Sequence, residues 1–510
     1  MQKLLFACAT VITATSAHAI DSTYTGPDLG NWGQAANWSP AKVPNNNGRR
    51  SFDVSIADHT VVLNINPTVS SLMLGGESSA LSSANHSLIS GATSVTPAGV
   101  LDFAAETSDV LMNAGTLTDF SNLTLSGGAY FLTSVPGKAA TLKFIGADIE
   151  TVDALLYLLG AGSGVVDETN HDALTHVSHV TINGDFETES QTISTTNSLV
   201  NEGYLFFDGS SLTIYGDLSN IGDRRNPGTL GFVDGLGHAG KDTLYTVKGT
   251  LTNYDSATHT LNGGRFLFNA ASGNQHTLQV LGGALFDIVD DNGAIILYGP
   301  HTGFRDQNGN DALRNVAVVN RDLEVGNRSF TTAGNLLISD SLVVFGDSKF
   351  TVTGTLTCNG NILFSVFNAY TFFAGYEGVP SDEPVLSTEL NVQGNLILTS
   401  ANNLNLEVFG PSAHGVAYVG GSASLDGALS ITLLDGSTVA NGDQLTVLTA
   451  ARITGEFSNV RSGERIEAQL SDGSPGGSFR VTYKKNKIVL SKYLPPSEAD
   501  AAKRAIVKEP

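Results

Sequence analysis

Short runs of alternating apolar and polar residues, each closed by a glycine and followed by another such run, recur along this chain and restrict what it can become. They include VTINGDF from Val180, LTIYGDL from Leu212, YTVKGTL from Tyr245, LQVLGGAL from Leu278, FTVTGTL from Phe350 and LNVQGNL from Leu390. Period-two alternation with β-branched residues turns one side of each strand to a core and the other to solvent. A glycine at the junction marks a turn, bulge or tight corner. Gly184, Gly216, Gly249 and Gly282 follow one another at intervals of 32, 33 and 33 residues, and an internal repeat explains this most simply. The later intervals of 72 (Gly282 to Gly354) and 40 (Gly354 to Gly394) are read as insertions that enlarge loops between equivalent coils.

The pattern predicts an all-β chain forming a parallel β-helix, or solenoid, over most of residues 45 to 490. A string of small antiparallel β-sandwiches is the alternative, because both folds use short alternating strands. Regularly spaced NG or DG hairpin turns are missing, which favours the helix. Two stretches carry helical signals. IETVDALLYLL, Ile149 to Leu159, has leucines too crowded for a clean helical stripe, so helix and non-helix stay equally open. Ser497 to Val507, after Pro495-Pro496, has the capping residues of a short exposed helix.

Residues 1 to 19, MQKLLFACATVITATSAHA, place Lys3 before an apolar stretch from Leu4 to about Ala14 and end in Ala17-His18-Ala19. That is the form of a secretory signal peptide cleaved after Ala19, and the apolar stretch is shorter than the roughly 20 residues needed to span a bilayer. No later segment is long and apolar enough to span, so the expected location is secreted, extracellular or at the outer cell surface, with no integral membrane segment after signal cleavage. Cys8 leaves with the signal, so Cys358 has no intramolecular disulfide partner. Its place in FTVTGTLTC, with no histidine nearby in sequence, reads as a buried structural thiol.

Charge excludes one class of partner. With 49 acidic residues against 27 basic ones, for a net charge of -22, the chain lacks the basic face that nucleic acid requires; only Lys484, Lys485 and Lys487 cluster. Charged residues make up 15% of the chain and glycines number 56, a composition that suits solenoids and sandwiches with frequent turns.

Two stretches carry a family resemblance. GNWGQAANWSPAKVPNNNG, followed by VSIADHTVVLNINPTVSSLMLGG, resembles the N-terminal entry segment of large bacterial surface proteins of the autotransporter-associated β-strand-repeat type. The matching positions are Asn31, Trp32, Ala35, Ala36, Asn37, Trp38, Val43 and Pro44. The second stretch, about Leu390 to Leu490, is similar to the C-terminal passenger segment of many exported β-helix proteins. It matches at Gly420, Ala423, Leu425, Gly427, Leu429, Gly442, Asp443, Leu445, Val447, Leu448, Gly455 and Phe457. The resemblance implies a right-handed β-helix and an exported, adhesin-like bacterial surface protein. Neither membrane-barrel strands nor an apolar C-terminal helix follow the last strand signal, so the expectation is an autotransporter-like protein that is secreted or held non-covalently. The expected organisation is signal peptide 1–19, N-terminal cap 20–45, β-helix repeats 46–389, passenger-like segment 390–492 and flexible tail 493–510.

Trp32 and Trp38 are the chain's two tryptophans, and they read as a plug over the open end of the first coil. An aromatic platform for a sugar is the alternative. Parallel β-helices include polysaccharide lyases and hydrolases, so an enzyme or carbohydrate-binding protein is the competing functional class. Polygalacturonase-like enzymes carry Asn-x-Asp, Asp-Asp, Gly-His-Gly and Arg-x-Lys in that order, with paired carboxylates at the glycosidic bond. Here Asp290-Asp291 follows Gly237-His238-Ala239-Gly240, the order is reversed, and no convincing Arg-x-Lys follows. Asp290-Asp291-Asn292-Gly293 therefore reads as a polar turn. Asp306-Gln307-Asn308-Gly309-Asn310-Asp311 spaces oxygens as calcium loops do. But Asp311 stands where the EF-hand needs glycine and Ala317 where it needs glutamate, so a solvated turn is expected. His176 and His179 fall on opposite sides of a strand, and with His171 they make a poor joint metal site. No catalytic, cofactor or metal residue is assigned, and calcium stays the one cofactor with any pattern. The expected function is a structural or adhesive β-solenoid outside the cell, with surface or matrix glycans or proteins as partners.

Overall fold

The computed structural model describes residues 18–47, 49–221, 228–233, 242–270, 274–366 and 388–496. Residues 1–17 of the expected signal peptide, the Gly237-His238-Ala239-Gly240 motif and the helix expected from Ser497 lie outside the described residues. Among the described residues there is a single 3-10 turn, Ala35–Asn37, and nearly every other element is a strand. Two compact units can be distinguished: unit 1 runs to Ile149 and includes Ala154–Ala173, while unit 2 holds Glu150–Asp153 and everything from Leu174.

Unit 1 is a parallel β-helix with two strand stacks. In one, Ile20–Tyr24, Phe52–Ala57, Thr68–Gly75, Leu88–Val95, Val110–Leu117, Ala140–Phe144 and Ser163–Val166 lie parallel and in order. In the other, Gly30–Asn31, Thr60–Leu63, Ser79–Ala84, Gly99–Ala105 and Thr124–Ser134 do the same. The alternation read from the sequence sets which side is buried: Phe52, Val54 and Ile56 point inward while Asp53, Ser55 and Ala57 between them are partly exposed.

Unit 2 adds a third strand per coil. Asp185–Glu189, Thr192–Thr195 and Leu199–Asn201 stack on Tyr204–Asp208, Ser211–Ile214 and Leu218–Asn220 with a shift of 19 residues in each stack. One inward column runs Phe186, Leu205, Leu230, Phe266, Ile295, Leu323, Leu342, Ile362, Leu404, Leu429, with an apolar side chain at every rung. At about 4.8 Å per coil such columns form a continuous apolar core, each coil supporting only its neighbours. The stack closes with antiparallel pairings among Gln444–Gly455, Arg465–Leu470, Pro475–Lys484 and Lys487–Leu494.

Several sequence readings need correction. Ile149 to Leu159 is not helical: Thr151–Leu159 is a strand whose burial alternates, with Val152, Ala154, Leu156 and Leu158 inward. The leucines crowd because, from Leu155 on, the outward residues Leu155, Tyr157 and Leu159 are apolar as well. Gly216, Gly249 and Gly282 do stack, with Gly249 N–H donating to the Gly216 carbonyl at 3.0 Å and Gly282 N–H to the Gly249 carbonyl at 2.9 Å. A Cβ on Gly249 or Gly282 would sit 2.5 or 2.4 Å from the carbonyl oxygen of the coil before, which is why the corner takes glycine. Gly184 is not in that column. Gly216 stacks on Asn197, and Gly184 on Gly203, so the first interval of 32 spans more than one coil and its match to the other two is coincidental. Likewise the interval of 72 is not one enlarged coil, because Gly354 stacks on Gly334.

One repeat escaped the sequence reading. Residues 148–180 match 287–319 at a constant offset of 139, sharing among others Asp167 and Asp306, the triplets Asp172-Ala173-Leu174 and Asp311-Ala312-Leu313, and Val177 and Val316. The backbone follows suit. Ile149 N–H donates to Ala173 O at 2.8 Å and Ile288 N–H to Ala312 O at 2.7 Å; Val177 N–H donates to Leu174 O at 3.2 Å and Val316 N–H to Leu313 O at 3.1 Å.

Candidate functional site

The outward rows of unit 2 carry its accessible chemistry. On Asp185–Glu189 the outward residues are Asp185, Glu187 and Glu189, and the register sets Tyr204, Phe206 and Asp208 directly beside them. The Tyr204 and Phe206 rings stack at 5.9 Å with 14° between their planes, and Tyr204 is 49% exposed. Gly231 on the next strand leaves room for the Phe206 ring, which a Cβ there would meet at 2.1 Å. Burial pushes the Glu187 carboxyl up to about 7, and the charges of Asp185, Asp208 and Glu189 push the same way.

Further along the same outward column, Glu324 lies beside Ile296 on one strand and Val343 on the other. Its carboxyl is also raised to about 7, chiefly by burial, with Arg265 opposing and Asp322 adding to the shift. A carboxyl that titrates near neutrality can donate as well as accept a proton, and an aromatic face beside it offers apolar contact to the ring of a sugar or a peptide side chain. The sequence reading missed both glutamates. Their only signal was the triplet Asp-x-Glu on an alternating strand, Asp185-Phe186-Glu187 and Asp322-Leu323-Glu324, which places two carboxylates on the outer side of one core residue.

The residues singled out from the sequence lie elsewhere. Asp290 and Asp291 are not in a turn; they open the strand Asp290–Tyr298 and point to opposite sides of it. Asp290 accepts a hydrogen bond from Asn320 Nδ2 at 2.8 Å on the outside. Asp291 is 0% exposed, accepts only the Gly293 N–H at 2.8 Å, and burial holds its carboxyl well above the usual range. The pair does not converge on one substrate position.

Asp306 is an inward turn cap. Its Oδ1 accepts the N–H groups of Asn308 and Asn310, both at 2.8 Å, and its Oδ2 takes Asn310 Nδ2 at 3.1 Å and an ion pair with Arg314 at 3.2 Å. Burial alone would raise this carboxyl, but those donors together hold it below its ordinary value. Asp167 in the matching stretch does the same for Thr169 and His171 N–H, at 2.7 and 2.8 Å, and is drawn down to about 2 by Thr169 and the His171 amide. Both loops are turns whose oxygens face backbone donors.

Arg314 also reaches Asp287 at 3.5 Å, and Asn315 Nδ2 holds both Asp287 oxygens at 3.0 and 3.1 Å. Arg328, buried nearby, donates to Thr302 O at 2.6 Å and Thr302 Oγ1 at 3.0 Å, with its guanidinium 5.5 Å above the Phe330 ring. This network ties coils to one another. Of the three histidines, His171 contacts Asp167 at 3.3 Å and His179 contacts Glu202 at 3.0 Å, and among the described residues no three His, Cys, Asp or Glu side chains form a metal-holding group. Cys358 is buried, accepts Asn402 Nδ2 at 3.1 Å, and burial pushes its thiol up to about 11.

Trp32 and Trp38 are 0% and 2% exposed. Their rings meet edge-on at 4.8 Å, Trp32 Nε1 donates to Pro44 O at 2.9 Å, and Trp38 Nε1 donates to Trp32 O at 2.8 Å. With both indoles enclosed and both N–H groups committed inside the protein, neither offers a stacking face to a glycan. Against known proteins, the chain matches no family model and no curated protein.

Proposed function

We propose that this chain is an exported structural or adhesive solenoid of a bacterial surface, binding extracellular glycans or proteins through its lateral faces. The observation that carries the reading is the division of chemistry between inside and outside in unit 2. The adjacent carboxylates that the sequence offered to a glycoside-cleaving site, Asp290 and Asp291, point to opposite sides of their strand, Asp291 into the core. What faces outward is a register-locked row of polar and aromatic side chains, Glu187, Tyr204 and Phe206 among them. Such rows supply many weak contacts over a long surface, which suits adhesion.

The test has two arms. Protease shaving of intact cells should remove the chain from the outside, and the purified chain on glycan and matrix-protein arrays should bind saturably without releasing reducing ends from acidic polysaccharides. Turnover of any such polysaccharide would overturn the reading in favour of an enzyme, and protection of the chain in intact cells would remove it from the surface.

A further inference from the structure

Charge is unevenly spread along this acidic chain. Residues 444–494 carry eight lysines and arginines against four aspartates and glutamates, whereas the rest of the chain carries 19 against 45. The antiparallel pairings at this end of unit 2 gather four of those cations. Lys484 and Lys487 face one another across the hairpin between Pro475–Lys484 and Lys487–Leu494. The hairpin tip is fastened to Gln444–Gly455 by Ala450 N–H donating to Asn486 O at 3.0 Å and Ile453 N–H donating to Lys485 O at 2.9 Å, and Arg452 lies between those two fastenings.

Arg452, Lys484 and Lys485 are exposed and Lys487 half-buried, and none of the four enters an ion pair among the described residues. The nearby acids are turned to their own loop, Glu464 accepting Arg461 N–H at 2.8 Å and Glu456 accepting Ser462 N–H at 3.4 Å. Tyr418, exposed, pairs with Thr449, the residue that also pairs with Lys487.

We propose that this basic hairpin end docks on an anionic lipid surface, which names the attachment that the proposed surface role requires and rests on that reading. Three of the four cations are exposed and the fourth half-buried at one hairpin end, so they suit a dense plane of phosphate headgroups that needs no shape fit. The acidic coils of a second copy, 45 acids against 19 cations outside this end, are the competing anionic surface, and self-association is therefore one outcome the experiment reads. The remaining acidic coils repel such a surface, but with a Debye length of about 8 Å at physiological salt, coils more than about two rungs away are screened. Repulsion from the coils and attraction at the tip together select an end-on approach.

The experiment measures binding of the full chain to phosphatidylglycerol-containing vesicles and to pure phosphatidylcholine vesicles, over a range of salt, for the wild type and for Lys484→Gln/Lys485→Gln/Lys487→Gln and Arg452→Gln. Each cation near a charged bilayer is worth about fivefold in affinity, so the triple variant should lose roughly a hundredfold with its melting curve unchanged. Added salt should release the wild type, and phosphatidylcholine should not retain it. Equal binding by wild type and triple variant, retention by phosphatidylcholine alone, or binding only with added calcium through the acidic coils would overturn the proposal. So would salt-sensitive self-association that the triple variant abolishes while neither protein binds vesicles. Because the vesicles test the tip without reference to export, failure on intact cells and failure on vesicles are separate results.

Discussion

Asp291 occupies in one stretch the place that Val152 holds in the stretch matching it, a carboxyl where its counterpart is a hydrocarbon. Its Oδ2 has no hydrogen-bond partner inside the core, so its charged form is opposed by desolvation. Glu324 is in a similar position on the outer side, raised to about 7 mainly by burial. For a carboxyl raised on folding, stability is complete below the unfolded-state value and is lost as pH rises through the folded-state value. For Glu324 that window lies between about 4.3 and 7 and is worth on the order of 3 kcal/mol. Melting curves should therefore show the wild type less stable at pH 8 than at pH 5, a smaller slope for Glu324→Gln, and a higher melting temperature at pH 8 for Asp291→Val. A pH-independent melting temperature in the wild type would contradict this account. Neither Glu187 nor Glu324 was legible in the sequence as more than one acid among 49, because the shift depends on which side chains the neighbouring coils place beside it.

At the scale of single elements, Trp32 and Trp38 test whether the first coil of unit 1 depends on its aromatic contents. Replacing either by alanine removes a buried side chain, worth roughly 3 to 5 kcal/mol each. The double variant should melt earlier or aggregate through newly exposed strand edges, whatever ligand is present. An unchanged melting temperature together with lost glycan binding would restore the sugar-platform alternative. Most strands were legible because alternation survives in short segments: FTVTGTL overlaps Lys349–Val352, and LNVQGNL overlaps Glu389–Val392, each with alternating burial. Thr151–Leu159 was ambiguous because its outward residues from Leu155 on are also apolar, and Asp290–Tyr298 was obscured by its polar first residues. In both, pairing with adjacent coils settled a conformation that local pattern left open.

For the whole molecule, a net charge of -22 means that folding concentrates like charges on stacked coils. Raising salt from about 0.01 to 0.15 M shortens the Debye length from about 30 to 8 Å and should raise the melting temperature measurably, before any stabilisation by excluded ions at molar concentrations. A melting temperature that falls over that range would mean that attractive pairs outweigh the repulsion.

The sequence by itself determined that the chain is predominantly β and that its strands repeat, because a side-chain period of two and glycine corners are local properties that no distant contact is needed to express. Tertiary structure decided which repeats correspond. Coils of 19 residues and coils of 33 stack in the same unit, so equal spacing joined Gly184 to Gly216 wrongly, and only the hydrogen bonds show that Gly203 and Asn197 intervene. It also decided the fate of each charged group, since a carboxylate such as Asp306 becomes a turn cap, and one such as Asp291 a buried acid, according to the donors that folding brings within reach.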